Sequence, residues 1–170
     1  MKKADFYLVY ALLTVVQMVI CNYFHLTAYV MLSILPVMVL CIPTRVSTIG
    51  AMLIAFVTGL AVDLLSEGLL GLNALALVPV ALARKGVVSL IFGEDLFVRH
   101  EDFSIRKHGL GKVAMAIFLV QALFLLVYIW ADGAGTRPFW FNAARFGASL
   151  AAGIAVSLLV AETLAPDTRK

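Results

Sequence analysis

Apolar runs follow one another along almost the whole chain, at about 6–24, 28–42, 47–65, 71–92, 112–130 and 139–164, separated only by short polar turns and one longer charged loop. A helix needs about 20 apolar residues to cross the hydrocarbon core of a bilayer, so these runs read as transmembrane helices. Hydrophobic residues make up 63% of the 170 and charged residues 14%, which is too apolar for a single soluble core. The expected architecture is an all-α integral membrane protein, a compact bundle of six transmembrane helices forming a single domain over residues 1–170. No length remains for a separate soluble unit.

The formal net charge is +3, but no helix carries the basic stripe that nucleic acid would require. What the cations encode is orientation. With six crossings, one side receives Lys2, Lys3, Arg45, Arg84, Lys85, Arg99, Arg106, Lys107, Lys112, Arg169 and Lys170, and the other receives Arg137 and Arg145. The positive-inside rule then places both termini and the loop 93–111 in the cytoplasm. That loop mixes Glu94, Asp95, Arg99, Glu101, Asp102, Arg106 and Lys107 with Leu96, Phe97, Phe103 and Ile105, a pattern suited to an interfacial helix or a docking loop.

Several spans have local character. Met1, Lys2 and Lys3 before an apolar run imitate a signal peptide, but the run is long for one and no small-x-small cleavage site follows, so a retained helix is expected. That first span closes at Asn22, Tyr23, Phe24 and His25, groups suited to a membrane interface. The second span is short and holds Pro36, with Pro43 at its end, which predicts a helix kinked near 32–36. The fourth has few residues between Gly71 and the Arg84-Lys85 pair. Either it continues to about residue 92 with that pair reaching the inner interface, or it is a short element sheltered by its neighbours. The two cysteines, Cys21 and Cys41, lie at depths differing by roughly 15 Å at 1.5 Å per residue, beyond the reach of a disulfide.

Small residues recur four apart in two spans. Ser47, Ala51, Ala55 and Gly59 form one ridge, and Ala143, Gly147, Ala151 and Ala155 form another. Such ridges let helices approach closely in lipid, either inside this bundle or against a partner's helix. A bulky residue at Gly147 is expected to weaken whichever contact that ridge makes. Asp63 is the next step along the first ridge, so it is expected to face the bundle. A carboxylate at the bilayer centre costs roughly 2.5–3.5 kcal/mol on insertion scales, and Asp63 therefore needs a partner. It reads either as a proton-linked or binding carboxylate or as a structural ion pair or cap near the outer surface, and the structural reading is preferred. Arg145, bordering the second ridge in the same outer half of the bilayer, is the expected ion-pair partner, with Glu67 and Asp132 competing with Asp63 for it. Asn73 reads as a helix-start residue bonding to the preceding turn.

No phosphate loop, Gly-x-Ser-x-Gly elbow, His-Glu-x-x-His motif or paired-cysteine motif is present. His100, Glu101, Asp102 and His108 match no standard ligand spacing, so no metal is expected there. His25 reads as an interface residue. No catalytic residue and no cofactor is expected, and the chain does not read as an enzyme.

The order Asp63, Leu64-Leu65-Ser66, Gly68, then Leu70-Gly71-Leu72-Asn73-Ala74-Leu75-Ala76-Leu77 resembles the rod shape-determining protein MreD family, and the length and number of spans agree. The distinctive match covers residues 59–77. The resemblance implies a non-catalytic protein of the bacterial inner membrane that acts with the bitopic protein MreC in the cell-elongation machinery. That machinery links MreB filaments to the glycosyltransferase and transpeptidase of peptidoglycan synthesis. The residues expected to serve partners or packing are Asp63, Gly68, Gly71, Asn73, Arg145 and Gly147. The alternative is a substrate-binding membrane subunit of an energy-coupling-factor vitamin transporter, which is similar in size and six-span architecture but calls for polar lining that is sparse here. A lipid-acting enzyme would need clustered His, Asp or Glu, which the spans lack.

Overall fold

Six helices account for most of the residues that the computed structural model describes, which are 3–23, 30–65, 70–93, 109–133 and 138–164. They are α1 (Lys3–Tyr23), α2 (Leu35–Leu40), α3 (Thr48–Leu65), α4 (Leu72–Phe92), α5 (Leu110–Gly133) and α6 (Phe139–Leu164). Helices α3 to α6 are long and apolar enough to cross a membrane, and α1 contributes a shorter apolar stretch, Phe6–Asn22. Leu8, Leu12, Leu53, Val57, Leu82, Leu90, Leu126 and Leu159 point away from the bundle and are more than half exposed. A soluble monomer rarely bares so much apolar surface, whereas a multi-pass membrane protein turns it to lipid.

Helix directions follow from named contacts. Tyr10 meets Thr58 through their hydroxyls at 3.2 Å, and Asn22 Nδ2 donates to the Leu65 carbonyl at 3.2 Å, so α1 and α3 run parallel. Gly59 abuts Ala74 and Asp63 reaches Asn73, which makes α3 and α4 an antiparallel hairpin. Gln121 lies against Gly153 while Asp132 meets Arg145, so α5 and α6 are antiparallel as well.

The second apolar run departs from expectation. Residues 24–29 lie outside the described residues, residues 30–34 are not helical, and α2 has only six residues. Pro36 stands in the first turn of α2, where its missing N–H is harmless, so it starts a helix instead of kinking one. A non-helical residue advances the chain by up to about 3.3 Å against 1.5 Å in a helix, so a short broken element reaches the depth of a longer regular one. This element is the centre of the molecule. Ile34, Leu35, Val37, Met38, Val39, Leu40 and Ile42 are all buried, packed against α4, α5 and α6 among Leu77, Val80, Ile117, Val120 and Phe124.

Helix α4 continues past Arg84 and Lys85 to Phe92 and stops at Gly93, whose φ of 85° lies in a region that glycine adopts far more readily than other residues. Lys85 is exposed, but Arg84 turns into the bundle and is 4% exposed. The pair therefore does not reach the interface together.

Candidate functional site

The hairpin of α3 and α4 contains the stretch on which the family resemblance rests. Gly71 precedes α4 with φ 90°, and glycine offers no side chain to cap the helix. The first N–H groups of a helix have no partner within it, and an N-cap side chain ordinarily serves those of the second and third residues. Here those residues are Asn73 and Ala74, and the carboxylate that serves them comes from the preceding helix. Asp63 accepts from Asn73 N at 3.1–3.2 Å, from Ala74 N at 3.2 Å and from Asn73 Nδ2 at 2.8 Å. A negative charge at a helix N-terminus also meets the positive end of the helix dipole.

Gly59, one turn before Asp63, makes that reach possible. A Cβ placed on it would stand 2.5 Å from the Ala74 backbone, so only glycine lets the two helices approach this closely. The ridge of Ala51, Ala55, Gly59 and Asp63 is buried against the bundle throughout, with only Ser47 exposed. Asp63 and Asn73 are 2% and 4% exposed, so the carboxylate is enclosed by its donors.

The pair of Asp63 with Arg145 does not form. Arg145 Nη1 instead bonds Asp132 Oδ2 at 2.5 Å, joining the adjacent ends of α5 and α6. The physical reason is that Asp63 is already satisfied by three neighbouring donor groups, while Asp132 is the acid that the α5–α6 hairpin brings to Arg145. Glu67 and Gly68 lie outside the described residues. Gly147 faces outward, and nothing stands within 4 Å of a Cβ placed on it. Ala143, Ala151 and Ala155 are exposed with it, so the second small-residue ridge forms an outer face of the bundle.

A second polar group surrounds the broken element. Gln17 of α1 donates to the Leu32 carbonyl at 3.2 Å and accepts from Ile34 N at 2.8 Å. Ser149 of α6 accepts from Met31 N at 2.9 Å, and Gln121 of α5 donates to the Ser33 carbonyl at 3.2 Å. At the other end Arg84 donates through Nε to the Leu40 carbonyl at 3.3 Å and through Nη2 to the Ile42 carbonyl. The Leu40 carbonyl is the last of α2 and that of Ile42 lies just beyond its C-cap, an end where a guanidinium is favoured both as donor and as charge. Non-helical backbone at membrane depth is tolerated where protein satisfies it, and each of these side chains does so. Arg84 and Ser149 gave no sign of this role in the sequence. The available signal was the pairing of a short, proline-bounded run with isolated polar residues in neighbouring runs.

Compared with protein-family models, curated proteins and solved structures, the chain matches none. Among the described residues no three His, Cys, Asp or Glu side chains are grouped to hold a metal. His25, and the His100, Glu101, Asp102 and His108 group, lie outside the described residues. Both polar groups bind backbone: Asp63 locks a hairpin, and Gln17, Arg84, Gln121 and Ser149 hold a broken element. What this arrangement can do is fix shape.

Proposed function

We propose that this chain is a non-catalytic scaffold of the bacterial cell-elongation machinery, similar to MreD, that binds MreC in the inner membrane and through it helps control cell shape and peptidoglycan synthesis. The observation that carries the reading is the outward ridge of Ala143, Gly147, Ala151 and Ala155 on α6, a close-packing surface that none of the described helices covers. In lipid, apolar side chains gain little from leaving hydrocarbon, so a ridge that allows close backbone approach is the kind of surface on which a single crossing helix can pack. The resemblance over residues 59–77 supports the same reading, since Asp63 and Asn73 serve a rigid hairpin and a scaffold needs rigidity. The reading carries with it a six-crossing architecture like that of energy-coupling-factor membrane subunits, with both termini cytoplasmic.

Depletion in the native bacterium, scoring cell width and recovery of MreC on affinity purification, tests the proposal. Cells should widen, and MreC should co-purify with the unaltered chain but poorly with Gly147→Leu. Normal cell width together with no co-purifying MreC would remove the reading.

A further inference from the structure

We propose that residues 30–42 form a discrete opening unit, a strap through the middle of the bundle latched by Gln17, Arg84, Gln121 and Ser149, that releases while the α3–α4 hairpin stays closed. The inference draws only on the hydrogen bonds and burial around the strap and is independent of the scaffold reading.

Helices α3 to α6 satisfy most of their backbone within themselves, with the first N–H groups of α4 served by Asp63 of α3. The strap is different. Its helix is six residues long, and the bonds at its ends are Met38 N to the Ile34 carbonyl, Cys41 N to the Val37 carbonyl and Ile42 N to the Val39 carbonyl. The groups on Met31, Leu32, Ser33 and Ile34, and the carbonyls of Leu40 and Ile42, bond to side chains of four other helices. Its apolar side chains are packed against α3 to α6, but that packing does nothing for its backbone groups. The latches therefore decide whether that backbone is satisfied, and each is a single side chain that a rotamer change withdraws. The hairpin has no such weak point, since Gly59 sits directly on the Ala74 backbone and Asp63 holds three donor groups at once. When a latch is lost, the backbone group left without a partner lies in the strap and not in the hairpin, so the loosening falls on the strap.

Cys41, at the C-terminal end of α2 and 8% exposed, is a built-in probe. The chain's other cysteine is Cys21, so a full-length Cys21→Ala protein in detergent reports strap opening through the rate at which N-ethylmaleimide modifies Cys41. A companion protein carrying Cys21→Ala, Cys41→Ala and Val62→Cys reports the hairpin from a fully buried site on α3. Gln17→Met and Gln121→Met keep side-chain length but remove the amide, and each should raise Cys41 modification about tenfold or more, as expected when a buried backbone group loses its partner. Ser149→Ala, which removes the acceptor of Met31 N, should raise it severalfold and decides the matter if the glutamine variants do not fold. In every case the Val62→Cys rate should stay unchanged. Equal acceleration of both probes would show that the bundle opens as one unit, and an unmoved Cys41 rate would show that the latches do not hold the strap; either result overturns the proposal.

Discussion

At the scale of single residues, Asp63 shows how one carboxylate can be tolerated in an apolar bundle without a cation. Its oxygens receive two backbone N–H groups and one amide at the start of α4, groups that would otherwise be buried without partners. Removing an N-cap acceptor ordinarily costs about 0.5–2 kcal/mol, and burial places this case at or above the top of that range. Asp63→Ala is therefore expected to lower the thermal midpoint in detergent, with Asp63→Asn between that variant and the unaltered protein. Arg145 is not part of that interaction, so Asp63→Ala and Arg145→Ala should add to within about 0.5 kcal/mol in a double-mutant cycle. Asp132→Ala and Arg145→Ala should not add, because their shared bond is lost in either single variant. Coupling between Asp63 and Arg145 in that measurement would contradict the structure.

At the scale of helices, the two small-residue ridges separate into one packed inside the bundle and one that none of the described helices covers. Gly59→Ala places a Cβ against the Ala74 backbone, and overpacking of this kind costs about 1–3 kcal/mol. Gly147→Leu meets open space and should leave the thermal midpoint of the purified protein unchanged. A loss of stability in Gly147→Leu as large as in Gly59→Ala would mean that the α6 ridge is packed within the bundle. The sequence made the ridges themselves legible, because spacing by four identifies a helix face. It could not say which ridge turns inward, since in lipid both faces of a helix are apolar. The same ambiguity hid the broken element. Hydropathy is equally high for a helix and for an extended segment buried in protein, and the partners that distinguish them, Gln17, Arg84, Gln121 and Ser149, are scattered over four other helices. Asp63 was legible as an inward residue from its place on the ridge, but its partner was not, because a cap by a residue ten positions upstream follows no local capping pattern.

At the scale of the whole molecule, the broken element decides how many times the chain crosses. Helices α1 and α3 run parallel, as the Tyr10–Thr58 and Asn22–Leu65 contacts require, so the chain between them must return across the bundle. Among the described residues between them the strap makes that return, and it is bonded to Gln17 and Ser149 near one end and to Arg84 near the other. Burial of Arg84 takes it out of the loop charges, leaving ten cations against two, and the remaining bias still favours cytoplasmic termini. In a background without native cysteines, His25→Cys and Arg45→Cys should therefore react with a membrane-impermeant maleimide from opposite sides. His25→Cys should label in intact spheroplasts together with Thr136→Cys, whereas Arg45→Cys and Asp102→Cys should label only after the membrane is opened. Labelling of His25→Cys and Arg45→Cys from the same side would mean that the strap dips into the bundle and returns. The chain would then cross five times with its termini on opposite faces, and the parallel packing of α1 and α3 would have to be abandoned.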